Sequence, residues 1–128
     1  MNWDLGIGAK TLKIHIMTGL IELLQSLNRY RFSLQAYKTS HSEVELSAIN
    51  PNDTSLRFKV GFADVHYIQL PISWIGSFIV GSDNEREEVI HRTGLRPVGA
   101  VSSEVKLYKS LQGEVLILGG LMLVQPQS

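Results

Sequence analysis

Asp64 and His66 stand two residues apart in a stretch rich in β-branched and aromatic residues, so on a strand their side chains share one face. A carboxylate beside an imidazole is the arrangement that orients a general base. His15 could join them if its own strand lies adjacent. Tyr67 and Trp74 flank Pro71 nearby, and amphipathic aromatics suit ligand recognition. Asp64, His66, Tyr67 and Trp74 therefore make up a candidate ligand-binding cleft. Two considerations weigh against it. No signature places a nucleophile beside the pair, and large aromatics in a small domain are more often core than pocket.

Other constellations carry less. Gly6-Ile7-Gly8-Ala9-Lys10-Thr11 resembles a fragment of a phosphate-binding loop. That loop needs a preceding strand, four residues between its first glycine and Gly-Lys-Thr, and a helix after it, none of which is met. The four histidines, at 15, 41, 66 and 91, are scattered, and there is no cysteine, which removes disulfides, thiolate catalysis and Cys-based zinc sites together. No metal site or cofactor is expected. Arg29, Arg31, Arg57 and Lys59, with Tyr37, could form a basic and aromatic sheet face for single-stranded nucleic acid. Glu43 and Glu45 fall among them, and the twelve basic residues of the whole chain are balanced by twelve acidic ones. Nucleic-acid binding is accordingly not expected.

The elements that must position these residues follow from periodicity. Leu12, Ile14 and Ile16 alternate with Thr11, Lys13 and His15, as in a half-buried strand. From Thr18 the apolar positions Leu20, Ile21, Leu23, Leu24 and Leu27 fall on one side of a helix. A single helix over 11–28 also fits that stripe, but it would bury Lys13 and place Gly19 mid-helix, so strand 11–17 then helix 18–28 is preferred. Tyr30, Phe32, Leu34 and Ala36 alternate next, completing a β-α-β opening. Val44, Leu46 and Ala48 alternate before Asn50-Pro51-Asn52-Asp53, and Leu56, Phe58, Val60 and Phe62 after it, which reads as a hairpin. Charge and apolar matching set Glu45 opposite Lys59, Leu46 opposite Phe58 and Ser47 opposite Arg57.

Residues 64–80, broken by Pro71 and Gly76, suggest two short strands around a bend. Ser82-Asp83-Asn84-Glu85 supplies a capping box for a helix ending at Gly94, with only Val89 and Ile90 apolar in its body. Two last strands, Ser103 to Ser110 and Glu114 to Val124, would set Lys109 opposite Glu114 and Leu107 opposite Leu116. In the second of them alternation disappears. Val115 to Leu118 and Leu121 to Val124 are apolar on both faces, so this strand is either covered twice or buries a partner.

At 128 residues with 44% hydrophobic and 19% charged content, the chain fits one globular domain, residues 1–128. The expected fold is α+β: the β-α-β opening, a mainly antiparallel sheet of six to seven strands, and a short second helix. Met1 to Lys10 lacks the pattern of a secretory signal. Residues 12–27 carry Lys13, His15 and Glu22, and Val115 to Val124 is short of the roughly 20 residues a spanning helix needs, so no membrane role is expected. The functional expectation is a small cytoplasmic, non-enzymatic protein that self-associates as a dimer through Val115, Ile117, Leu121 and Leu123. Its alternative is a small-molecule-binding domain or enzyme at the cleft above.

Overall fold

The computed structural model describes residues 19–94 and 104–127. Residues 19–26 are helical (α1). Strands β1 (Tyr30–Lys38), β2 (Glu43–Ile49), β3 (Arg57–Gln69), β4 (Ser73–Gly76) and β5 (Ile79–Val80) follow, with one 3₁₀ turn at Thr39–His41. Helix α2 (Asp83–Arg92) then leads to β6 (Lys106–Lys109) and β7 (Leu116–Gln127). The expected strand 11–17 lies outside the described residues, and so does the test of the β-α-β opening. What is described is a mainly β architecture with two helices, every strand pair antiparallel. Among the described residues no helix is long and apolar enough to cross a membrane.

The sheet order is β4-β1-β2-β3-β7-β6-β5, which sets the shape. β4 and β5 are its two ends, yet only Ser77 and Phe78 separate them in sequence. Three chain steps reach about 10 Å, so the ends must meet. The sheet is rolled on itself, and the single stretch 73–80 pairs with β1 on one side and with β6 on the other. Residues from every wall converge inside: Phe32, Leu46, Val60, Phe62, Trp74, Tyr108 and Ile117 belong to one buried cluster with Phe78. The Phe78 ring stands 5.2 Å from Phe32 and 6.1 Å from both Phe62 and Trp74. Helix α1 joins this cluster through Leu24 and Leu27, with Leu20, Ile21 and Leu23 partly buried against it, the stripe its 3.6-residue period lays out.

A second cluster forms on the outside of the roll. Val89 and Ile90 of α2 cover Leu107, Leu116 and Leu118. The helix is held at its start by the capping box expected from its sequence, in which Ser82 accepts from the Glu85 amide and Glu85 accepts from the Ser82 amide. The Lys109 ammonium also pairs with Glu85. That hydrogen bond, with the Ser82 amide, lowers the Glu85 pKa from 4.5 to about 2. Gly94 takes the left-handed conformation past the end of α2, at φ 75°.

Val115 to Leu118 are thus roofed on both sides by their own chain. Val115 and Ile117 point into the interior cluster, while Leu116 and Leu118 lie under α2. β7 is an inner strand between β3 and β6, and the double apolar character of Val115 to Leu118 needs no partner.

Both hairpins pair two residues away from the expected register. Lys59 opposes Ser47 and Arg57 opposes Ile49, where Glu45 and Ser47 were expected. The loop takes up the difference. Asn50 and Asp53 side chains accept from the amides of Asn52 and Ser55, and backbone bonds Asp53 to Asn50 and Leu56 to Asp53 make two successive turns. In the second hairpin Lys109 opposes Leu116 and Leu107 opposes Leu118, because Ser110 pairs with Val115 around a four-residue tip. A shift of two preserves which face each side chain occupies.

Phe78→Ala should lower the unfolding free energy by about 3–5 kcal/mol, the usual cost of emptying a core phenylalanine site, measured by urea denaturation. A loss below about 1 kcal/mol would place Phe78 outside the packed interior. The depressed Glu85 pKa contributes stability that is fully present above pH 4.5 and lost as pH falls toward 2. In urea titrations at stepped pH, Glu85→Gln should flatten the stability profile across that window. A wild-type slope there that survives the substitution would assign it to other carboxylates.

Candidate functional site

Asp64 and His66 sit where β3 leaves its neighbour. Ala63 opposes Gly120 and Tyr67 opposes Leu118, so residues 64–66 face Gly119 alone. The amide of Val65 donates instead to the carbonyl of Ser42, at 2.9 Å, and Asp64 takes the left-handed conformation at φ 51°. Gly119 is required opposite this bulge. A Cβ there would lie 3.0 Å from Val65 Cγ2 and 3.3 Å from the Ala63 carbonyl oxygen.

His66 Nε2 lies 3.4 Å from Asp64 Oδ1, so the carboxylate and imidazole do meet, yet Nε2 is shielded and makes no hydrogen bond among the described residues. The other two members of the expected cleft are elsewhere. Tyr67 packs on the outer cluster beneath α2, its hydroxyl donating to Gln69 Oε1 at 3.4 Å. Trp74 is buried in the interior, stacked on Phe32 at 5.5 Å between centroids. A depression of about 250 Å³ does open beside Asp64, lined with Ala63, Glu104, Gly120, Leu121 and Met122, but His66, Tyr67 and Trp74 take no part in it. The four residues do not bound one cavity, because the bend in β3 and the roll of the sheet send them in different directions.

The expected interface residues also separate. Val115 and Ile117 are fully buried, out of reach of any partner, whereas Leu121 and Leu123 are half-buried. Among the described residues the most exposed large apolar side chains are Ile72 at 94%, Leu111 at 76% and Ile75 at 51%. Ile75 and Leu111 line one depression of about 210 Å³, between β4 and the tip of the β6–β7 hairpin, with Asn28, Ser77, Gln112 and Glu114. It marks the seam of the roll. β5 has joined β6, but among the described residues β4 pairs only with β1, and no described strand lies on its second edge. The sequence held one signal for this place: Tyr67 to Ser82 contains no Asp, Glu, Lys or Arg. An exposed edge strand is normally protected by charge.

The basic residues divide as well. Arg31, Arg57 and Lys59 share the outer face of the sheet, while Tyr37, opposite buried Val44, falls on the other face, and Arg29 occupies the turn before β1 at φ 63°. Glu45 Oε1 lies 3.3 Å from Lys59 Nζ and 3.5 Å from Lys38 Nζ. Desolvation opposes ionisation of Glu45, but the hydrogen bonds and charges of Lys59 and Lys38 outweigh it and hold the carboxyl below its ordinary range. Burial pushes the Tyr108 phenol up, offset in part by the backbone of Leu121. Among the described residues no three metal-ligating side chains cluster.

Asp64→Gly should leave stability unchanged or raise it by up to about 1 kcal/mol, because glycine meets no penalty at positive φ. Asp64→Val should lower it by about 1–2 kcal/mol. Chemical denaturation of both variants checks this, and a strongly destabilised glycine variant would show that the carboxylate, rather than the backbone, holds the bulge. Comparison of the chain with protein-family models, with curated proteins and with solved structures finds no match.

Proposed function

We propose that this chain is a non-enzymatic interaction protein that self-associates as a dimer, and that the contact surface is the seam at β4 rather than the C-terminal strand. The observation that carries the reading is that Ile75 and Leu111 share one exposed depression, with Ile72 exposed just before β4, beside a strand edge that carries no charged residue of its own and pairs with no strand among the described residues. Apolar surface left in water costs about 25 cal/mol per Å², and an unpaired edge offers a row of backbone donors and acceptors to another chain. A second copy meets the uncharged stretch 67–82 without opposing like charges, which a two-fold contact otherwise has to avoid. The interior supports an external site too. Phe32, Phe62, Trp74 and Phe78 fill it, in contrast to barrels that enclose a ligand. A chain without cysteine needs no oxidising compartment, in keeping with work in the cytoplasm.

Light scattering coupled to size-exclusion chromatography should give a dimer mass at tens of micromolar protein. The double variant Ile72→Lys, Ile75→Lys should elute as a monomer with an unchanged melting temperature. A wild-type chain that stays monomeric over that range, or a double variant that stays dimeric, would remove the reading.

A further inference from the structure

The outer face of the sheet holds a feature that self-association at β4 does not use. Alternation turns Val44, Leu46, Ala48, Val60 and Phe62 inward, so Glu45, Ser47, Ile49, Arg57 and Lys59 turn outward. The register sets Arg31, Ile49 and Arg57 in one row across three strands, and Ser33, Ser47 and Lys59 in the next. With strands about 4.8 Å apart, the Arg31 and Arg57 backbones stand about 10 Å from each other. Beside them lies a depression of about 300 Å³ into which Gln35, Glu45, Ser47, Arg57, Lys59 and Gln127 project.

Charge selects the occupant. Among the described residues Glu45 is the one carboxylate in the lining, and a single oxygen of it receives both Lys38 and Lys59. Across the outer face of β1, β2 and β3, Arg31, Lys38, Arg57 and Lys59 stand against Glu43 and Glu45, a local excess of two positive charges in a chain whose twelve cationic and twelve acidic residues cancel. Arg57 is also preset. Its Nε donates to the Thr54 carbonyl at 3.2 Å, and its Nη groups make no hydrogen bond among the described residues. A guanidinium so held presents parallel donors to two oxygens of one anion. The Lys59 ammonium, the Ser47 hydroxyl and the amides of Gln35 and Gln127 supply further donors around the same space.

We infer that this depression binds the dianionic phosphate group of a small phosphomonoester, with Arg57 and Lys59 as the principal contacts. A dianion matches the excess of two, whereas a monocarboxylate leaves one cation unmatched. A nucleic-acid strand is disfavoured, because Tyr37 falls on the opposite face and Phe58, the aromatic in the lining, packs against the interior cluster with its ring edge-on to Tyr30.

The test is a titration of the full chain with inorganic phosphate and with phosphoserine, followed by backbone amide shifts and by the Arg57 Nε–H signal in NMR. Saturable shifts confined to β1, β2 and β3 are expected, with phosphoserine at least as tight as phosphate. Arg57→Gln should weaken binding about tenfold, the loss of one charge-assisted pair, while Arg92→Gln on α2 should leave it unchanged. Lys59→Gln serves as the second variant, its melting temperature recorded alongside. Shifts that fail to saturate, that spread over all cationic side chains, or that persist equally in both Arg57→Gln and Lys59→Gln would overturn the assignment. The same titration on the Ile72→Lys, Ile75→Lys variant separates this site from the β4 seam, since its affinity should not change.

Discussion

One stretch of chain, residues 73–80, supplies both ends of the sheet, and the rest of the molecule is arranged around that closure. A flat antiparallel sheet of seven strands would expose one apolar face along its whole width. Here two residues, Ser77 and Phe78, carry the chain from a pairing with β1 to a pairing with β6, and the sheet has no option but to roll. Phe78 enters the space so formed and meets aromatic side chains from β1, β3 and β4. The same closure explains α1, whose leucines cover an interior that strands alone do not seal, and α2, which covers the outer apolar patch of β6 and β7.

Much of the local structure was legible because it is encoded locally. The capping box at Ser82, the strand faces of β2 and β3, and the two buried positions of α2 all follow from spacing within a few residues, whereas β1 keeps its expected faces only as far as Leu34, beyond which a register shift sets Ala36 opposite Glu45 and Tyr37 opposite Val44. Hairpin registers were legible only to parity. Loop hydrogen bonds from Asn50, Asp53 and Ser110 lengthen each turn by two residues, and no pairing rule for charged side chains registers that. Glu45 and Lys59 still meet, diagonally rather than across.

Long-range consequences were not legible. Nothing near Val115 to Leu118 announces that one face will enter a barrel and the other lie under a helix some thirty residues upstream, so a doubly apolar strand read equally well as an interface. Likewise Asp64, His66, Tyr67 and Trp74 are close in sequence but not in space. The bulge at 64–66 depends on Ser42 and Gly119, and Trp74 turns inward because β4 pairs with β1. The roll that fills the interior leaves the proposed contact at β4 and the proposed anion site around Arg57 on the outside of the sheet.

Native-state hydrogen exchange across a denaturant series measures that closure most directly. If one strand holds both seams, the protected amides of the β1–β4 pair and of the β5–β6 pair open in a single step, with one free energy and one denaturant slope. Separate opening, in which β5 and β6 exchange through a low-energy event while β1 and β4 stay protected, would show that the two ends of the sheet are independent and that the roll is not what holds the molecule together.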